Sequence, residues 1–143
     1  MKGALVYNFN MSEEKNDEHK YKILIVDDDD FLVDMYSTKF GISGVDTQVF
    51  KSGEQVLDYL RGEGKVDLLL LDIVIPIMSG IEILAEIRKE KLLPNVPVVM
   101  LTNQNDEKDI SEAKKLGVSG YIVKSSATPS EVVDEVIKII KNF

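Results

Sequence analysis

The chain has 143 residues, 44% of them hydrophobic, enough for one domain with a sizeable core and too few for two ordinary ones. Cysteine is absent, which excludes a disulfide framework and thiolate metal sites, and no apolar run approaches bilayer-spanning length. A formal net charge of -8 without a Lys/Arg cluster argues against direct contact with nucleic acid or anionic lipid through this domain, and a cytoplasmic protein fits best.

Residues 1–20 are expected to form a flexible N-terminal arm ahead of one domain over 21–143. Ser12 to Lys20 (SEEKNDEHK) is nearly all polar and charged, and such a stretch cannot offset its ordering entropy. Ala4 to Val6 is too short an apolar core for a signal peptide. An alternative start or an expression remnant would account for the first ten residues, with Met11-Ser12 the natural beginning. His19 is the only histidine and reads as a solvated residue rather than a ligand.

From Lys22 the pattern sharpens. Ile23 to Val26 is a short apolar strand that ends abruptly in Asp27-Asp28-Asp29-Asp30, after which Phe31, Leu32, Met35 and Tyr36 recur at helical spacing. Asp29 or Asp30 is expected to cap that helix, and Gly41 and Gly44 close it. Val45 to Phe50 alternates as an edge strand would. Ser52 with Gln55 starts a second helix through Val56, Leu57 and Leu60, which ends at Gly62 and Gly64.

The next strand contains Leu68 to Leu71, a continuous apolar run that reads as buried on both faces, since a strand with one wet face would alternate. It ends on Asp72. A carboxylate inside the core would need a partner, so this one belongs at the rim where the strand leaves the sheet. Pro76 stops the strand, and Ser79 with Glu82 forms a capping box for a helix in the register Ile81, Leu84, Ile87. Val98 to Leu101 is a fourth strand ending in Thr102. A helix from near Asp106 carries Ile110, Ala113 and Leu116 to Gly117. Gly120 to Val123 is the fifth strand, ending in Lys124, and Thr128, Pro129 and Glu131 start a last helix with Val132, Val133, Val136, Ile137 and Ile140 on one side.

Strict alternation of strands and helices predicts an α/β fold: a doubly wound (βα)5 three-layer sandwich around a parallel five-stranded sheet of order 2-1-3-4-5. The first and third strands then lie side by side at the switch point, where their carboxyl ends open a crevice. Asp27, Asp28, Asp72, Thr102 and Lys124 all fall on that edge. Neighbouring strands are roughly 5 Å apart, so the acids crowd one another and call for a cation. An all-oxygen site favours Mg²⁺, with positions left for phosphate oxygens. Taken singly, Asp at a strand end is usually a turn residue, Thr102 a strand hydroxyl that satisfies backbone, Lys124 a solvated cation and Tyr121 a half-buried aromatic. Joint placement is what makes them informative.

IVDD (Ile25 to Asp28), LLLLDIVIPIMSG (Leu68 to Gly80), VVMLT (Val98 to Thr102) and GYIVK (Gly120 to Lys124) together resemble the receiver domain of two-component response regulators, from about Lys22 to the C-terminus. The resemblance implies a phosphorelay phospho-acceptor. Asp72 would take the phosphoryl group from a histidine kinase, a histidine phosphotransfer protein or a small donor such as acetyl phosphate. Asp28, Asp72 and the backbone carbonyl of Val74 would hold Mg²⁺, with Asp27 acting chiefly through water. Thr102 and Lys124 would hold phosphoryl oxygens. Thr102 and Tyr121 would form the switch that reshapes the face of the fourth helix, fifth strand and fifth helix for a target protein or a second copy. The domain would catalyse its own phosphorylation and slow self-dephosphorylation, the latter tuned by Val74 and Gln104, without being a conventional enzyme.

Three departures stand out. Ser125 follows Lys124 where the family usually has proline after a cis peptide; a non-proline cis bond costs about 2.5 to 4 kcal/mol, so this bond is expected to be trans with an altered loop, or cis and strained. Val74 is apolar and cannot orient water. Asn103 stands where a small residue is usual and is expected to crowd the switch. No effector domain is expected after Phe143, which leaves protein contact as the output. Two rival functions are a phosphatase of haloacid-dehalogenase type, with its nucleophile at Asp27 or Asp28, and a receiver-fold binding module that is never phosphorylated.

Overall fold

The computed structural model describes residues 20–62 and 64–143. The expected mobile arm, the start at Met11 and the reading of His19 lie outside the described residues, apart from Lys20 at the arm's end, whose ammonium is 3.4 Å from Asp46. Five parallel strands form one sheet in the order β2-β1-β3-β4-β5. They are β1 (Lys22–Val26), β2 (Asp46–Phe50), β3 (Leu68–Leu71), β4 (Val98–Thr102) and β5 (Gly120–Val123), and α1 (Asp30–Ile42), α2 (Gly53–Arg61), α3 (Gly80–Lys89), α4 (Glu107–Lys115) and α5 (Pro129–Asn142) alternate with them. This is the predicted doubly wound order.

The leucine run explains the three layers. Leu69 and Leu71 point into a core with Val56, Leu60, Ile83 and Ile87 of α2 and α3. Leu68 and Leu70 point the other way, into a core with Tyr36 and Phe40 of α1 and Val132 and Val136 of α5. All four are at most 1% exposed, so each contributes about 2 kcal/mol of transfer free energy, and both sides of β3 must be covered. The sequence pattern and the layering are the same fact.

Each helix begins on a side-chain oxygen that accepts from a first-turn N–H: Asp29, Ser52, Ser79, Asp106 and Thr128. Ser79 with Glu82 and Thr128 with Glu131 complete reciprocal boxes. Gln55 differs from expectation, because its Oε1 accepts from the N–H of Lys51 rather than from that of the capping residue. The buried face of α1 also differs: it is Val33, Tyr36 and Phe40, while Phe31 is 73% exposed. Leu32 and Met35 are only half-buried, and Ile110 lies on the outer face of α4. A run with apolar residues on several sides does not announce which side faces the sheet.

The β3–α3 connection is held close. The Gly80 N–H donates to the Ile73 carbonyl at 2.8 Å, and a Cβ on Gly80 would lie 2.0 Å from the carbonyl oxygen of Asp72. Backbone cannot yield to that contact as a side-chain tip could. Gly80→Ala is therefore expected to destabilise the fold by about 3 kcal/mol or more, read from urea unfolding midpoints. An unchanged midpoint would mean that α3 does not start this close to Asp72.

Candidate functional site

The register of β1 on β3 pairs Val26 with Leu71, so Asp27 and Asp72 leave adjacent strands side by side. The Asp72 N–H donates to the Val26 carbonyl at 3.0 Å, and the Asp27 N–H to the Phe50 carbonyl at 3.1 Å. Asp27 is 2% exposed, Asp72 6% and Thr102 0%, the buried polar residues among those described. Asp28, one residue further out, is exposed. Carboxylate oxygens of Asp27, Asp28 and Asp72 lie within 4.8 Å of one another.

Lys124 reaches this cluster from the end of β5. Its Nζ lies 2.7 Å from Asp27 Oδ2 and 2.9 Å from Asp72 Oδ2, with its side chain 8% exposed. Burial opposes that ammonium, but hydrogen bonds to Asp27 and Asp72 outweigh it and hold its pKa above the ordinary value. Burial is also the largest influence on Asp27 and lifts its carboxyl above 3.8, against hydrogen bonds from Lys124 and from the Asp29 N–H at 3.0 Å. A carboxyl whose folded pKa is raised holds its proton more tightly in the native state. Its contribution to stability is therefore greatest below 3.8 and is lost as pH rises through the folded value. Asp27→Asn removes the buried charge and keeps one acceptor oxygen, for the Asp29 N–H, while Lys124 retains Asp72. In EDTA it is expected to raise the melting temperature at pH 7 and to change it little near pH 4; an equal or lower melting temperature at pH 7 would contradict this account.

Val74, Thr102 and Gln104 also line this cleft, which measures about 330 Å³, whereas Tyr121 is not among its lining residues. Thr102 Oγ1 accepts from the Gln104 N–H at 3.2 Å, and the Tyr121 hydroxyl donates to the Gln104 carbonyl at 2.6 Å. The Val74 N–H donates to Asp72 Oδ1 at 3.3 Å, while its side chain is 59% exposed at the cleft mouth. The Lys124–Ser125 bond is trans, as are all peptide bonds of the described residues, and a 3-10 turn spans Lys124–Ser126. The trans alternative holds for the peptide bond. Sequence reasoning missed the Asp29 N–H as a brace on Asp27, and it missed a bond from the Ser125 N–H to Asn103 Oδ1 at 3.0 Å. A larger groove of about 410 Å³ on the outer face of α1 is mainly apolar and has no such convergence of acids, so the smaller cleft is the candidate site.

A five-stranded parallel sheet with its polar groups gathered at the carboxyl ends of β1, β3, β4 and β5 defines a doubly wound domain of the flavodoxin-like, CheY-like type. Within that class, residues 23–137 match the family model of the response regulator receiver domain, and the chain belongs to that family. It is 36% identical over 120 residues to the DNA-binding response regulator MtrA of Mycolicibacterium smegmatis, across 84% of this chain and 50% of that protein. The chain thus spans about half the length of this curated relative. Among solved structures, a CheY-like receiver domain protein from Methanospirillum hungatei superposes with a TM-score of 0.78 over 87% of this chain and 96% of that one, and at 22% identity it speaks for the fold alone. The phosphorylated cyanobacterial phytochrome response regulator RcpA is 29% identical, with a TM-score of 0.70 over 87% of this chain and 91% of its own. No helix of the described residues is long and apolar enough to cross a membrane.

Proposed function

We propose that the domain is a cytoplasmic phospho-acceptor: Asp72 receives a phosphoryl group from a phosphohistidine on a kinase or phosphotransfer protein, or from a small acyl phosphate. The observation that carries this reading is the buried Asp72 carboxylate with a lysine ammonium 2.9 Å away and two further acids beside it. An oxygen of Asp72 attacks phosphorus, the bond to the donor's nitrogen or oxygen breaks, and the leaving group keeps the electron pair. RcpA, a relative of the same fold, is phosphorylated by name, which supports the same chemistry here.

Phosphoryl transfer asks a protein mainly for positioning and for positive charge on the equatorial oxygens. Asp27, Asp28 and Asp72 form a hard, all-oxygen donor set that fits Mg²⁺, and the Val74 carbonyl would be the main-chain ligand. When bound, Mg²⁺ would offset the crowding of the acids and draw charge from the transferring group. Lys124 leaves Asp72 for a phosphoryl oxygen, and Thr102 turns its hydroxyl toward another. That turn releases the Gln104 N–H from Thr102 Oγ1 and disturbs the loop to which Tyr121 is bound, so the change reaches the face of α4, β5 and α5. A target protein or a second copy reads that face.

MtrA is DNA-binding by name, so membership of this family does not remove nucleic acid from the whole protein's function. The acidic balance of the chain argues only against contact through this domain.

Phos-tag electrophoresis after incubation with acetyl phosphate tests the proposal. A retarded band that requires Mg²⁺ and disappears in EDTA is expected; no band with any competent donor would leave a binding module of receiver fold. Self-dephosphorylation is expected to be slow, since Val74 presents only methyl groups at the cleft mouth. Val74→Asn adds a water-orienting amide and is expected to speed hydrolysis severalfold, measured as decay of the retarded band. Hydrolysis no faster in the variant would remove Val74 from that role.

A further inference from the structure

We infer that Asn103 is a positioning residue for Lys124, acting through the main-chain N–H of Ser125; the inference rests on the phospho-acceptor reading of the same site. The 3-10 turn Lys124–Ser126 directly follows β5 and has no side-chain cap at its own start. Its early N–H groups have no partner within the turn and would otherwise be left to solvent. Asn103 Oδ1 takes the Ser125 N–H at 3.0 Å from a position 22 residues earlier in the chain. The hydrogen bond thereby ties the residue after Lys124 to the residue after Thr102.

The consequence for Lys124 is geometric. Its Nζ must span from the end of β5 to acids at the ends of β1 and β3, and it is already held at 2.7 and 2.9 Å from them. A long side chain keeps such a reach only if its backbone is fixed, since a shift of the turn is passed on to the ammonium. Behind Lys124 the turn has one further side-chain tie, from Ser126 Oγ to the Val123 carbonyl at 2.9 Å, and that bond reaches back only to the end of β5. Asn103 supplies the tie to another element. It also joins a small network: Gln104, its neighbour, accepts from the Tyr121 hydroxyl and donates to Asp109. Asn103 therefore links the ammonium that meets the phosphoryl group to the loop that carries its hydroxyl partner.

Asn103 and Ser125 are both exposed, so Asn103→Ala removes the bond without opening the core. Initial rates of phosphate incorporation from acetyl phosphate with Mg²⁺ are compared for four proteins: wild type, Asn103→Ala, Lys124→Met and the double variant. Loss of one hydrogen bond is expected to slow wild type about three- to tenfold and to change the Lys124→Met protein less than about twofold. Equal slowing in both backgrounds, or none in wild type, would overturn the inference. A second measurement needs no phosphate: in the unphosphorylated protein, NMR exchange of the Ser125 amide and of the Lys124 ammonium is expected to be faster in Asn103→Ala. Unchanged exchange of the ammonium overturns the inference. If wild type takes up no phosphate, the functional reading fails while this exchange measurement still decides the role of Asn103.

Discussion

Asp72→Asn is expected to abolish phosphate uptake from acetyl phosphate, with no retarded band on Phos-tag gels, while the fold is retained. An amide of the same shape preserves packing and keeps one oxygen acceptor, for the Val74 N–H or for Lys124, which also retains Asp27. It lacks the nucleophilic charge. Asp27 is not expected to substitute, since it is the more buried of the two, 2% exposed against 6%, although each carboxylate is engaged by one main-chain N–H and by Lys124. Asp28 is exposed and one residue off the strand tip, and in the proposed mechanism it would help hold the cation. The same experiment separates the rivals. A phosphatase with its nucleophile after the first strand would keep turning over a phosphate ester in Asp72→Asn and lose it in Asp28→Ala, and that outcome would overturn the assignment of Asp72.

Much of this arrangement is legible before any coordinates. The strand tips could be read because a buried parallel strand has to be apolar throughout, and so a single acid such as Asp72 marks where it ends. Caps could be read because Ser79-Glu82 and Thr128-Glu131 satisfy the same two backbone groups wherever a helix begins. Topology then brought Asp27, Asp28, Asp72, Thr102 and Lys124 to one edge, although the tasks assigned to them are tested only by the experiments above.

What was not legible depends on tertiary detail. The inward side of α1 could not be chosen among Phe31, Leu32, Val33 and Met35, since an apolar residue beside a site is tolerated in solvent and periodicity alone does not place the sheet. Ile77 is a second case. Its φ of 73° is costly for a β-branched residue, and the Met78 N–H closes onto the Pro76 carbonyl at 2.8 Å in a three-residue turn that no propensity would suggest. The Asn103–Ser125 bond was hidden for another reason. Each residue looked like a separate departure from the family pattern, and only the structure brings the two departures into contact.

Lys124→Met is the second substitution with a large expected effect, and it should move two measurements in opposite directions. Its ammonium is a fixed cation among three acids, so it competes with any divalent ion for Asp27 and Asp72. Removing one unit charge roughly 5 Å from a dication, at an effective dielectric near 20, changes their interaction by several kcal/mol before relaxation. Allowing for proton uptake by the acids, Mg²⁺ binding is expected to tighten about tenfold, read by calorimetric titration. Phosphate uptake is expected to fall about a hundredfold, since a preorganised cation that meets the transferring oxygens is gone. The metal-free variant should also melt earlier, because buried Asp27 and Asp72 lose their partner, and saturating Mg²⁺ should recover most of that loss. A methionine variant that bound Mg²⁺ more weakly and took up phosphate at the wild-type rate would mean that Lys124 serves the acids alone and has no part in phosphoryl transfer.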